Sequence, residues 1–124
     1  MPTILVIDDD ALTREAVSRL LEHEGYRTVR AANGKDGWAT LYDRTPDLVL
    51  LDLMMPQMDG VTFLQLLRRS DRWGSLPVIV LTGRAADDRL VRSASELGVQ
   101  DTVAKASSGI DDLLDRVRRH LPAA

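Results

Sequence analysis

The 124-residue chain predicts an α/β fold in which a strand and a helix alternate five times around a parallel sheet. Three observations carry this. Residues 4–7, 48–51 and 78–81 are short runs of continuous rather than alternating apolarity, as expected of strands buried on both faces. Between them lie stretches with helical spacing of apolar residues. Glycine and proline fall at the joints: Gly25, Gly34, Gly60, Gly83, Gly98 and Gly109 near proposed element ends, Pro46 and Pro77 just ahead of apolar runs.

In chain order, residues 4–7 form the first strand, and Val17, Leu20 and Leu21 mark the first helix. Residues 28–31 are a second, less apolar strand, followed by a helix marked by Trp38, Leu41 and Tyr42. The third strand, 48–51, precedes a loop in which Asp59-Gly60 starts the next helix, marked by Leu64 and Leu67. The fourth strand, 78–81, leads to a helix carrying Leu90, Ala94 and Leu97. The fifth, 102–104, precedes Ile110, Leu113, Leu114, Val117 and Leu121, which fall on one helix face. One domain over residues 1–121 is expected, with 122–124 as a short tail and no effector domain after it.

Composition narrows the function. Sixteen basic against nineteen acidic residues leave a net charge of −3, which argues against a surface dominated by nucleic acid or anionic membrane. With no cysteine there is no disulfide, thiol nucleophile or thiolate metal site. Two histidines, His23 and His120, are too few for a multi-histidine zinc centre. The N-terminal apolar run lacks the form of a signal peptide, and no run is long enough to span a bilayer, so a cytoplasmic protein is expected. Fourteen of the sixteen basic residues are arginine, so the two lysines, Lys35 and Lys105, stand out.

In open parallel sheets, ligands sit outside the carboxyl ends of the strands. Those ends carry polar groups here: Asp8-Asp9-Asp10 after the first strand, Asp52 after the third, Thr82 after the fourth and Lys105 after the fifth. Asp10 reads as the N-cap of the following helix. Asp8 and Asp9 have no such reason to be adjacent. Like charges ~4 Å apart cost about 4 kcal/mol at an effective dielectric near 20, a cost that a hard divalent cation removes. Read alone, Asp52 is a turn residue or a third carboxylate of the same pocket. Thr82 satisfies its own backbone or faces a ligand, and Lys105 is a surface cation or a point charge aimed at phosphate and carboxylate.

At these residues the chain resembles, from end to end, the receiver domains of two-component response regulators. Residues 4–10 resemble the first strand and acidic pair, 47–60 the phospho-acceptor strand and its loop, and 77–83 the hydroxyl-bearing strand, with Leu97-Gly98-Val99 and Lys105 completing the set. The resemblance implies a flavodoxin-like, doubly wound sheet of order 2-1-3-4-5. It also implies that Asp52 accepts a phosphoryl group from a histidine kinase or histidine phosphotransfer protein. Asp9, Asp52 and the Met54 carbonyl would ligate Mg²⁺ (or Mn²⁺), with Asp8 acting mainly through water. Lys105 would pair with Asp52 and then with a phosphoryl oxygen, and Thr82 would bond another. The downstream protein partner would dock on the face made by the fourth helix, fifth strand and fifth helix, with no direct role for nucleic acid or membrane.

The chain departs from the family pattern in three places. Ala106 follows Lys105 where proline is usual. Because a cis bond costs about 3–4 kcal/mol without proline, the Lys105–Ala106 bond is expected to be trans. Thr102 stands where the family often has an aromatic ring that turns inward on activation, so the output face is expected to switch weakly or by another route. Arg84, two beyond Thr82, either covers the phosphoryl group or is simply solvated.

Two other readings compete. An aspartate-nucleophile phosphohydrolase would also use a strand-end aspartate, threonine, lysine and Mg²⁺. It needs a glycine and a hydroxyl residue where Ala11-Leu12 stand, a later acidic pair at a strand end, and room for a cap domain. The other is a protein-interaction module that is never phosphorylated, against which the full set Asp8, Asp9, Asp52, Thr82 and Lys105 argues. In a chain that otherwise uses arginine, Lys105→Arg is expected to impair switching, because a planar fork does not replace a compact ammonium. Amide chemical shifts measured with and without a phosphoryl mimic should show a smaller response than in wild type.

Overall fold

The three apolar runs become the centre of a five-stranded parallel sheet. The computed structural model describes residues 1–53, 55, 58–82, 88–104 and 109–121. In chain order the elements are β1 (Thr3–Ile7), α1 (Ala11–His23), β2 (Arg27–Ala31), α2 (Gly34–Asp43), β3 (Leu48–Asp52), α3 (Gly60–Arg69), β4 (Val78–Thr82), α4 (Asp88–Glu96), β5 (Asp101–Ala104) and α5 (Gly109–His120). The sheet order is β2-β1-β3-β4-β5, all parallel. Each strand runs one residue beyond the expected span at one end, so Asp52 and Thr82 are the last residues of their strands rather than loop residues.

Burial explains why some strands were plainer in the sequence than others. Ile4 to Ile7, Leu48 to Leu51 and Val78 to Val80 are fully buried, while β2, an edge strand, exposes Arg27 and Arg30. Alternate residues feed two cores. Ile4, Val6, Leu48 and Leu50 pack with Val17 and Leu21 of α1 and Leu113, Leu114 and Val117 of α5. Leu5, Ile7, Val49 and Leu51 pack on the other face with Leu41, Phe63, Leu64 and Leu67.

The second core holds a feature that apolar spacing did not reveal. Trp73, in the turn after α3, is buried edge-on against Trp38 at 5.5 Å and Tyr42 at 4.8 Å between ring centroids, and Phe63 lies 6.0 Å from Trp38. Edge-to-face ring pairs contribute about 0.5–1.5 kcal/mol each beyond their buried area. This cluster ties the end of α3 to α2.

The helix ends follow capping rules. Asp10 accepts from the Leu12 amide and the Thr13 hydroxyl, Asn33 from the Asp36 amide and Asp59 from the Thr62 amide. The C-terminal end of α4 has no basic residue in its own last turn. Arg68, from α3, supplies the cation. Its guanidinium donates to the carbonyls of Leu97 and Gly98 beyond α4, and to those of Gly74 and Leu76 ahead of β4. Burial pushes this guanidinium down from its ordinary pKa.

Arg116 of α5 reaches across to β5. It pairs with Asp101 and Asp112 and donates to the Thr102 carbonyl, joining β5 to α5. The hydrogen bond it donates to Asp101 holds the Arg116 guanidinium above its usual pKa.

Among the described residues, Ser18 of α1 is fully buried with no hydrogen-bond partner for its hydroxyl. An unsatisfied buried polar group costs about 1–3 kcal/mol, and alanine is also the better helix former. Ser18→Ala is therefore expected to stabilise the protein by about 1 kcal/mol. A urea titration followed by far-ultraviolet circular dichroism should show a higher midpoint with an unchanged slope.

Candidate functional site

Strand register builds the site. Ile7 of β1 lies beside Leu51 of β3. The next residues, Asp8 and Asp52, therefore leave neighbouring strands at the same level. These strands flank the point where the sheet order reverses, the crevice expected to bind ligands in doubly wound folds.

Asp8 is fully buried and Asp52 nearly so, while Asp9 is exposed. Each offers one carboxylate oxygen to a cluster in which all three atoms lie within 4.8 Å of one another. Two oxygens on opposite sides of an octahedral Mg²⁺ stand about 4.2 Å apart, given metal–oxygen distances of 2.0–2.1 Å. The 4.8 Å bound is of the same scale, so the donor set suits a small hard cation. Two buried acidic side chains beside a solvent-facing third leave an open side for water and a further oxygen ligand.

The backbone around the cluster is held by specific bonds. The Asp8 amide donates to the Ala31 carbonyl at 3.1 Å, continuing the β1–β2 ladder one residue past the strand. The Asp10 amide donates to Asp8 Oδ1 at 2.9 Å, which fixes the turn containing Asp9. Arg14, one turn into α1, reaches back and donates from Nη1 to the Asp8 carbonyl at 2.8 Å. A guanidinium thus stands beside the acidic cluster, a role for Arg14 that no sequence signal suggested. On the β3 side the Gly60 amide donates to the Leu53 carbonyl at 3.0 Å, closing the loop between β3 and α3.

Of the six residues singled out in the sequence, the structure brings Asp8, Asp9 and Asp52 together. Thr82 ends β4 and pairs with Ala104 of β5, while Asp52 pairs with Leu81. Thr82 is thus at the same end of the sheet as Asp52, while its side chain lies outside what is described. Met54 and Lys105, with Arg84 and Ala106, also lie outside the described residues. Ala104, immediately before Lys105, is the partner of Thr82, so the fifth strand ends on the same side of the sheet as the cluster.

Binding a divalent cation should relieve the repulsion among the carboxylates, and the native state alone presents the cluster. At a cation concentration 100 times Kd the linkage stabilises by about 2.7 kcal/mol. Thermal unfolding with Mg²⁺ against a chelator should show this as a higher midpoint, and Asp9→Asn should remove most of the difference.

Comparisons with known proteins follow this geometry. Residues 4–118 match the model of the response regulator receiver domain. The chain is 39% identical over 116 residues to the DNA-binding dual master transcriptional regulator RpaA of Synechocystis, covering 94% of this chain and 43% of that protein. It is 34% identical over 119 residues to sporulation initiation phosphotransferase F of Bacillus subtilis, covering 96% of this chain and 93% of that protein. Among solved structures, the chemotaxis protein CheY4 of Vibrio cholerae superposes with a TM-score of 0.88 at 25% identity, covering 98% of this chain and 99% of that one. The chain spans less than half the length of several curated transcriptional regulators that it matches.

Proposed function

The chain belongs to the response regulator receiver domains, whose general function is phosphorylation on an aspartate, and from that premise we propose that Asp52 is the phospho-acceptor of this protein. The supporting observation is the convergence of Asp8, Asp9 and Asp52 within 4.8 Å at the reversal of the sheet order.

A carboxylate oxygen of Asp52 attacks the phosphorus of a phosphohistidine on a histidine kinase or histidine phosphotransfer protein. The phosphorus–nitrogen bond breaks, an acyl phosphate forms and the imidazole leaves, taking up a proton. Asp9, Asp52 and the Met54 carbonyl, with Asp8 through water, would hold Mg²⁺ (or Mn²⁺), which when bound would supply positive charge to offset that of the phosphoryl oxygens. Lys105 meets another of those oxygens, and Thr82 donates to a third. β3 ends at Asp52 and holds it at the carboxyl end of the sheet, so positioning and charge neutralisation do most of the catalytic work. In this reading the protein is an acceptor that promotes its own phosphorylation and dephosphorylation, and the rest of the chain turns over no other substrate.

The added charge of about −1.5 to −2 biases the surface made by α4, β5 and α5. A protein partner reads that surface in the cytoplasm. Residues 1–121 act as the receiver module, and 122–124 as its tail. Among the described residues no helix is long and apolar enough to cross a membrane.

Incubating the protein with Mg²⁺ and acetyl phosphate should add one phosphoryl group as a hydroxylamine-labile acyl phosphate. Intact-mass measurement should find none on Asp52→Asn. Acyl phosphate surviving that substitution would place the acceptor elsewhere, and none on wild type would favour an interaction module that works unphosphorylated.

A further inference from the structure

Resting on the reading of Asp52 as acceptor, we infer that Gly60 is a positioning residue for the Asp52 carboxylate: only a residue without a Cβ lets β3 end where the carboxylates meet. Gly60 is the first residue of α3 and lies against the end of β3. A Cβ placed there would stand 2.6 Å from Leu53 Cα and 3.0 Å from Leu53 Cδ2, and closer still to the Asp52 carbonyl oxygen. Two of these three atoms are backbone, so no side-chain rotation relieves the clash.

Backbone conformation does not explain the glycine, because among the described residues only Gly25 and Gly98 have positive φ. The reason is close approach. Asp59 caps α3 from one side, and the Gly60 amide bonds the Leu53 carbonyl at 3.0 Å from the other. The first turn of α3 is thereby fastened directly to the residues that carry and follow the acceptor.

The scale of the disturbance decides its chemical effect. Real Cβ atoms essentially never approach within 3.0 Å, so the Leu53 contact alone demands a shift of at least about 0.4 Å. Metal–ligand distances tolerate only about ±0.2 Å, and Mg²⁺ demands near-ideal octahedral geometry. The strand cannot take up the shift by sliding, since Asp52 is fixed by its pairing with Leu81 on one side and Leu51 by Ile7 on the other. The end of β3 must tilt, which carries the Asp52 carboxylate away from Asp8 and Asp9.

Gly34, the first residue of α2, supports the same loop from outside. A Cβ there would meet the Met58 carbonyl at 2.5 Å and Met58 Cβ at 2.9 Å. The loop between β3 and α3 is thus held between two helix starts, each a glycine.

The test compares Gly60→Ala with Gly74→Ala. Residue 74 lies in the turn ahead of β4, at the opposite end of the sheet, where an added Cβ would crowd the Ser70 carbonyl at 2.5 Å. It controls for general destabilisation. Mg²⁺ affinity by calorimetric titration and the rate of acyl phosphate formation from acetyl phosphate are read beside the urea midpoint. Gly60→Ala should bind Mg²⁺ at least tenfold more weakly and phosphorylate correspondingly more slowly, while Gly74→Ala loses stability but keeps wild-type affinity and rate. Should Gly60→Ala not fold, Gly34→Ala decides, with a smaller loss of the same sign. Mg²⁺ affinity within twofold of wild type in the variant that folds overturns the inference. A wild-type protein that binds no Mg²⁺ and accepts no phosphoryl group overturns the site reading itself, and this inference with it.

Discussion

Three carboxylates converging at the ends of adjacent strands is the constraint around which the molecule is arranged. Asp8 and Asp52 are taken out of water by the burial of β1 and β3, and their mutual repulsion grows as the surrounding dielectric falls. A fold selected for stability alone would place apolar residues there. The hydrophobic investment surrounding them, with Ile4 to Ile7, Leu48 to Leu51 and most of β4 fully buried, is what lets the sheet tolerate the repulsion. Rigidity follows from the same source. Each strand end is fixed by its neighbours' ladders, so Asp8 and Asp52 are held close together by the sheet itself.

The surroundings of the cluster divide into restraints on either side. On the β1 side the restraints are polar: the Asp10 amide on the Asp8 carboxylate, and the Arg14 guanidinium on the Asp8 carbonyl. On the β3 side they include both a hydrogen bond and steric contact, through the Gly60 amide and the close approach of α3. The first kind can bend by a few tenths of an ångström at little cost, whereas backbone in contact with backbone cannot. Asp52 thus sits on the stiffer side of the cluster.

Much of this was legible in the sequence, for identifiable reasons. The central strands announced themselves because burial on both faces leaves an unbroken apolar run. β2 and β5 were fainter because edge strands mix polar and apolar residues. The acidic cluster was legible because adjacent aspartates at a buried strand end lack a structural purpose. Arg14, Arg68 and Gly60 were not, and the cause is common to them. Arg68 acts across about thirty residues of chain on carbonyl groups, and backbone carbonyls carry no residue-type signal. Gly60 was read as a helix start, and its close approach to β3 appears only once the layers are stacked. The pairing of Arg116 was hidden for a similar reason, since its partner Asp101 comes from a different element.

The aromatic cluster has a practical consequence of another kind. The protein has two tryptophans, and both lie in that cluster, 5.5 Å apart on the side of the sheet covered by α2 and α3. Each therefore senses the other, together with Tyr42 and, for Trp38, Phe63, before it senses anything else. Intrinsic ultraviolet emission excited through tryptophan is in effect a single optical signal from one flank. It is well suited to reporting whether α2 and α3 are packed, and poorly suited to reporting events between β5 and α5. An emission spectrum left unchanged by a ligand would leave the opposite flank unobserved, so a probe introduced by design is needed there.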